Sequence, residues 1–208
     1  MTGGQIKKPL LGIFSRDDQT NYQWLIDSAY SAVPDIRLVY IGNDSGQIFR
    51  EEVHKCTFAI LYHTLTRGRI NITNVTDSLY DVELKYLNDI LGKDNVIVVI
   101  DDLEDSSSAE KDRILNQQKS LGNLARDVFL FSAMEKERLP LGTQQKKKKK
   151  VIPDPKVKQL IKILKDHHHQ RKHCDMSVPC TIGIAVTAIV FVLLFVGILI
   201  YSCKIPLR

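Results

Sequence analysis

The feature that most constrains this 208-residue chain is an uncharged stretch at residues 176–203. Within it, residues 182–201 are almost wholly apolar (IGIAVTAIVFVLLFVGILIY). Twenty residues at a helical rise of about 1.5 Å per residue cover about 30 Å, the thickness of a bilayer's hydrocarbon core. A buried core helix of this kind would need a large domain around it, and only residues 202–208 follow in the sequence. The stretch predicts one transmembrane helix within residues 181–203, followed by a short tail at 204–208.

Basic residues are concentrated on the N-terminal side of this stretch. Residues 143–180 carry 11 Lys and Arg against three Asp and Glu, whereas only Lys204 and Arg208 follow the apolar run. The positive-inside bias therefore predicts a cytosolic N-terminal side. The arrangement resembles that of tail-anchored proteins, which insert into membranes after synthesis. The long and strongly apolar span favours the endoplasmic reticulum over the mitochondrial outer membrane.

Other targeting signals are weak. The first ten residues (MTGGQIKKPL) contain no apolar stretch that would predict a signal peptide. Three glycosylation sequons, at Asn43, Asn71 and Asn74, would require a lumenal domain, so we interpret them as chance or turn chemistry.

The four cysteines do not suggest a disulfide framework, which fits a reducing compartment. Cys56 lies in a strand-like apolar run, where a buried thiol is expected. The other three flank the apolar stretch and are candidates for S-palmitoylation: Cys174, Cys180 and Cys203.

Residues 139–180 are predicted to form a basic linker that contains an amphipathic helix near residues 155–172. Lys146 to Lys150 form an uninterrupted run, and apolar residues then recur at Val157, Leu160 and Leu164. A basic amphipathic helix of this kind is typical of contact with anionic phospholipid. The lysines expected at the membrane surface are Lys156, Lys158, Lys162 and Lys165. A solvated spacer is the alternative interpretation, and no nucleic-acid partner is expected.

A histidine cluster lies in the same linker, at His167, His168, His169 and His173 beside Cys174. Its spacing matches no closed zinc site. No metal ion is therefore predicted.

After a short tail at residues 1–9, residues 10–138 read as one α/β domain. Residues 1–142 carry 16 Lys and Arg against 21 Asp and Glu, so the positive net charge of the chain belongs to the linker and tail. Continuous apolar strands separated by helical segments predict a three-layer fold with a mostly parallel five-stranded sheet, flavodoxin-like or Rossmann-like in outline. The predicted strands are residues 10–15 (LLGIFS), 36–41 (IRLVYI), 56–62 (CTFAILY), 95–100 (NVIVVI) and 128–131 (VFLF).

Helix signals separate these strands. Tyr22, Leu25, Ile26 and Ala29 mark one apolar face, and Tyr80, Leu84 and Leu87 mark another. Gly92 is expected just past the end of the second of these helices, and Ser107 with Glu110 predicts the start of a later one.

Ligands of such folds bind at the carboxyl ends of the strands. Acidic residues and one histidine occupy those positions: Asp17, His63, Asp101 and Asp102. However, the turn after the first strand (SRDDQT) lacks the glycines and lysine of a phosphate-binding loop, and no Gly-x-Gly-x-x-Gly follows any strand. The run VIVVIDDLED resembles a Walker B strand without its phosphate-binding partner. No cofactor is therefore predicted.

Three arginines are candidates for contact with an anionic ligand or a protein partner. Arg16 follows the first strand, and Arg67 with Arg69 opens a connection longer than a tight crossover needs. The leading hypothesis is a tail-anchored, non-enzymatic interaction or signalling module. The alternative is a membrane-tethered nucleotide-binding protein or enzyme of unfamiliar type that uses Asp17, Asp101, Asp102 and His63. A degenerate domain of nucleotide-binding ancestry is a third possibility.

Overall fold

The computed structural model of the chain describes residues 10–139 and 154–171. Five strands form one sheet in the order β2-β1-β3-β4-β5, and every neighbouring pair is parallel. This confirms the predicted α/β class and five-stranded sheet, and the order is the one found in flavodoxin-like sheets. The strands are β1 (Leu11–Ser15), β2 (Ile36–Tyr40), β3 (Phe58–Thr64), β4 (Val96–Leu103) and β5 (Asp127–Ser132).

Helices connect the strands and follow the last one. They are α1 (Gln23–Tyr30), α2 (Gly46–Lys55), α3 (Asp81–Leu91), α4 (Ser108–Gln117), α5 (Lys119–Leu124), α6 (Ala133–Glu137) and α7 (residues 155–171). Short 3-10 turns lie at Gln19–Tyr22, Leu65–Arg67 and Lys93–Asn95. The α/β unit ends at His168, within α7, and a second unit begins at His169.

Each face of the sheet has its own hydrophobic core. Helices α2, α3, α4 and α5 contribute buried residues to the first core, and α1 and α7 contribute to the second. The split follows from right-handed crossovers, because the chain moves one way from β1 to β2 and the other way from β2 through β3, β4 and β5. The central strands β3 and β4 are buried on both faces, as their continuous apolar sequences predict.

Helix α7 is part of this packing rather than of a separate linker. Val157, Leu160 and Leu164 are buried in the second core, and the ring of His167 lies 5.0 Å from that of Phe58. The predicted apolar stripe is therefore correct, but in this structure it faces the sheet instead of a bilayer. Lys158, Lys162 and Lys165 are exposed on the helix.

Lys156 is a structural residue of the α/β unit. Its ammonium group lies 2.8–3.0 Å from the Ser106 carbonyl and hydroxyl, the Leu130 carbonyl and the Glu135 carboxylate. The Leu130 carbonyl is available because the register of β4 against β5 shifts after Ile100. The Lys156 charge thus fixes α7 to the sheet, and its contact with a membrane surface stays a prediction.

Among residues 10–139 and 154–171, no helix is both long enough and apolar enough to cross a membrane. The predicted span at residues 182–201 lies outside the described residues, as do the lysine run at 146–150 and the palmitoylation candidates Cys174, Cys180 and Cys203. The transmembrane helix therefore stays a prediction.

Candidate functional site

The carboxyl ends of β1, β3 and β4 lie side by side, and the strand order reverses between β1 and β3. In sheets of this type that edge is where ligands bind. The predicted site residues Asp17, His63, Asp101 and Asp102 all lie at this edge. The first three are buried, which requires each of them to have an internal partner or a ligand.

Asp17 is held by the connection that follows β3. Its Oδ1 accepts a hydrogen bond of 2.6 Å from Arg67 Nε, and the same guanidinium also donates to the Arg16 carbonyl. The Asp17 amide donates to the Ser15 hydroxyl at 3.0 Å. This ion pair between a buried carboxylate and an exposed guanidinium links the end of β1 to the loop after β3.

Asp101 is fully buried at the end of β4. Its Oδ2 lies 2.8 Å from both the Trp24 indole nitrogen and the Tyr62 hydroxyl, which donate to it, and 3.1 Å from Lys136 Nζ. Burial raises the pKa of Asp101, and hydrogen bonds and Lys136 act in the opposite direction. The carboxylate thus joins α1, β3 and α6 to the sheet edge.

Asp102 has an uncommon backbone conformation, with φ at 60°. Its amide donates to Asp101 Oδ1 at 2.6 Å, and its own Oδ2 accepts from the Thr64 hydroxyl at 2.6 Å and from Lys136 Nζ at 2.9 Å. A left-handed conformation at a non-glycine residue costs on the order of 1 kcal/mol and persists only where surrounding contacts fix it. Here the contacts that fix it are internal.

His63 is buried on the opposite face of β3 from Tyr62. Its Nε2 lies 2.9 Å from the Arg69 carbonyl, so the neutral ring donates there. Its Nδ1 has no hydrogen-bond partner in the described part of the chain. Burial lowers the pKa of His63, and the ring packs edge-on against Tyr80. A catalytic histidine would need an acid or a nucleophile within hydrogen-bonding reach. His63 is hydrogen-bonded to the Arg69 carbonyl, and the candidate acid Asp17 acts on it through its charge.

The three arginines have different environments. The Arg16 side chain binds the Leu79 carbonyl at 3.1 Å, the Asn43 side chain at 3.2 Å and the Glu83 carboxylate at 2.9 Å. Arg67 is paired with Asp17, as described above. The side chain of Arg69 is exposed. Of the three predicted anionic contacts, Arg16 and Arg67 are in ion pairs, whereas Arg69 is exposed and in none of the ion pairs of the described residues.

The long connection between β3 and α3 covers the ends of β1 and β3. It turns at Gly68, where φ is 93°, and the side chain of Gln118 fixes its middle part. The Gln118 carbonyl oxygen accepts from the amides of Ile72 and Thr73 at 3.0 Å, and its nitrogen donates to the Ile70 carbonyl at 2.6 Å. The middle of this loop is thus fixed by hydrogen bonds to the residue between α4 and α5.

A small cavity of about 100 Å³ lies between the start of α2 and the start of α3. Arg16, Gly42, Ser45 and Arg50 contribute to its wall. Pockets that bind nucleotide-sized molecules are about 300–1,000 Å³ in volume. This cavity is too small for such a ligand. Within the described ranges, no group of three acidic, histidine or cysteine residues is arranged to hold a metal ion.

Sequence reasoning identified the acids at the strand ends but missed several partners that hold these acids and the loop beside them. Lys136, Trp24 and Gln118 lie far along the chain from the residues they bind. The sequence carried one signal for the contact between Lys136 and Asp101. Lys136 follows the carboxyl end of β5, and Asp101 lies near the carboxyl end of the neighbouring strand β4. Comparisons of the chain with protein-family models, with curated proteins and with solved structures find no match.

Proposed function

We propose that this chain is a single-pass, tail-anchored membrane protein whose cytosolic α/β domain acts as a protein-interaction or signalling module. The observation that supports binding over catalysis is that the acids at the carboxyl ends of the strands are in internal ion pairs. Asp17 is paired with Arg67, whereas Asp101 and Asp102 share Lys136. Side chains engaged in this way hold the fold together and are poorly placed to bind a substrate or Mg²⁺.

Membrane attachment is proposed to occur through residues 182–201, with the endoplasmic reticulum favoured as the location. Three exposed lysines of α7 support additional contact with anionic phospholipid, because Lys158, Lys162 and Lys165 recur at helical spacing on one face. The contact would be electrostatic and sensitive to salt, since the apolar face of α7 is packed against the sheet.

The surface proposed to meet a protein partner is the loop after β3. It is fixed by Arg67 and Gln118, so a partner would meet a preformed surface rather than order it on binding. Arg69 projects from this loop and suits a partner that presents acidic groups.

Partner capture with a matched pair of charge reversals tests this proposal. The full chain, expressed with a proximity-labelling tag, is expected to label a set of partners that Arg69→Glu loses. Arg126 is exposed and directly precedes β5, at the amino ends of the strands. The control Arg126→Glu is expected to keep these partners. Equal labelling by wild type and both variants would reject this loop as the partner surface.

Ligand screening separates this proposal from the enzymatic alternative. The purified full chain is expected to show no rise in melting temperature with nucleotides, with or without Mg²⁺. A rise of several degrees that is lost in Asp102→Asn would favour a nucleotide site at the sheet edge instead.

A further inference from the structure

Among the described residues, β2 is the last strand on one lateral edge of the sheet. Strand β2 pairs with β1 on one side, and no described strand pairs with it on the other. The backbone carbonyl of Asp35 accepts a hydrogen bond from the Leu11 amide, and the Ile41 amide donates to the backbone carbonyl of Ser15. In a parallel ladder this register directs the backbone N–H and C=O groups of Arg37 and Val39 toward β1. The backbone N–H and C=O groups of Ile36, Leu38 and Tyr40 point away from β1.

This edge has few of the features that usually prevent strands from pairing with other chains. Native edge strands are commonly protected by proline, by several charged side chains, by bulges or by a covering helix or loop. The one charged residue of β2 is Arg37, and it is already paired with Glu52 of its own chain. The other outermost strand of the sheet is β5, and it is contacted by α7. Lys156 and Gln159 of α7 donate hydrogen bonds to Leu130 and Asp127 of β5.

The β2 edge also carries exposed apolar side chains. Leu38 and Tyr40 lie on the same face of the strand and are 37% and 62% exposed. Ile48 of the neighbouring helix α2 is 59% exposed. Together with Ser45 and Glu52 they border an open groove of about 580 Å³ that runs along the strand. A groove with unpaired backbone groups along its floor suits an added β-strand.

We infer that the occupant of this groove is β2 of a second copy of the chain. An antiparallel pair centred on Leu38 places Leu38 opposite its own counterpart and Ile36 opposite Tyr40 of the other copy. All outward N–H and C=O groups of these three residues then find partners across the twofold axis. The side chains that face each other are Leu38 with Leu38 and Tyr40 with Ile36. Pairing an aromatic side chain with a β-branched one across two strands stabilises a sheet. The result is one continuous ten-stranded sheet with an isologous interface.

Charge and chain length both suit this occupant. Because each Arg37 carries its own counter-charge in Glu52, two copies do not meet with unopposed like charges. Ten residues, 172–181, separate the described part of α7 from residues 182–201, and at full extension they reach about 33 Å. Tethering of two copies to one membrane would raise their effective concentration. This last point rests on the proposed membrane attachment, whereas the pairing geometry does not.

Sedimentation of the purified full chain in detergent tests the inference. Wild type is expected to be dimeric at about 100 µM. Leu38→Lys is expected to raise the dimer dissociation constant by about 30-fold or more, because like charges would face each other across the axis. Val82→Lys is the matched control, since Val82 is 75% exposed on α3 and away from the edge, and it is expected to remain dimeric.

Mixing supplies a result that only twofold pairing at this residue predicts. Leu38→Lys and Leu38→Asp chains are each expected to be monomeric alone and to form a heterodimer when mixed. Circular dichroism and melting temperature close to wild type would establish that both variants fold. A monomeric wild type, a dimer that survives Leu38→Lys unchanged, or a mixture that stays monomeric would overturn the inference. Membrane fractionation of the same variants reports on the proposed function separately, because attachment does not depend on Leu38.

Discussion

At the scale of single residues, Lys136 most strongly determines how the acids at the sheet edge behave. Its ammonium group lies between the carboxylates of Asp101 and Asp102, at 3.1 and 2.9 Å. Asp101 is fully buried, and a buried carboxylate is stable only when donors surround it. The same ion pairs that resemble a catalytic cluster in the sequence therefore stabilise the fold.

Replacement of this ammonium group is expected to destabilise the domain. Lys136→Met should lower the free energy of unfolding by about 2–3 kcal/mol, because it leaves Asp101 without its cation. The loss should shrink on acidification, since burial already raises the pKa of Asp101 and protonation removes the unpaired charge. Urea denaturation at two pH values measures both effects.

Lys85→Met is the control for that measurement. Lys85 forms an exposed pair with Asp89 on α3, and its loss should change stability by less than about 0.5 kcal/mol. Equal effects of the two substitutions would mean that Lys136 is not structural.

His63 predicts a pH dependence of stability with a definite sign. Burial lowers the pKa of His63 below its ordinary value of 6.5, so the unfolded chain takes up a proton first as the pH falls. The stability that depends on neutral His63 is complete above pH 6.5 and is lost between 6.5 and the lower pKa of the folded state. His63→Gln, which can still donate to the Arg69 carbonyl, should flatten this fall in urea denaturation.

At the scale of elements, strands and helix faces were predictable where local signals were strong. The apolar face of α1 is buried as predicted, Gly92 has a positive φ beyond α3, and the Ser107 hydroxyl accepts from the Glu110 amide. β4 is buried on both faces because its sequence has no polar alternation. These features depend on neighbours close in sequence.

Helix α7 could not be placed by the same local reasoning. A basic amphipathic helix has the same pattern on a membrane as on a sheet, and its basic flanks favoured the membrane. The topology supplies the missing reason. Right-handed crossovers leave α1 as the only connecting helix on its face, so Phe129 and Phe131 of β5 need another cover.

Single substitutions on α7 test which face is packed. Leu160→Ala should lower the free energy of unfolding by about 2–4 kcal/mol, because Leu160 is fully buried in the second core. Lys158→Ala, on the exposed face, should change it by less than about 0.5 kcal/mol. Thermal and urea unfolding of the two variants measure the difference. Comparable small effects would mean that α7 is not docked in solution.

At the scale of the whole molecule, α7 determines where the folded unit ends. A chain that stops at residue 142 lacks the buried side chains of Val157, Leu160 and Leu164, together with the hydrogen bonds of Lys156. It is expected to bind a hydrophobic dye and to lose a cooperative melting transition, whereas a chain that stops at residue 171 should retain both a dry core and cooperative melting. Matching melting curves for the two chains would contradict this assignment.

The membrane attachment is tested most directly by alkaline extraction of cell membranes, with a chain that ends at residue 171 as the comparison. The full chain is expected to remain in the pellet without detergent and to lose its α/β domain to protease added outside sealed vesicles, while the shortened chain is expected in the supernatant. Release of the full chain by the alkaline wash, or a domain protected inside the vesicles, would contradict a cytosolic domain anchored through residues 182–201.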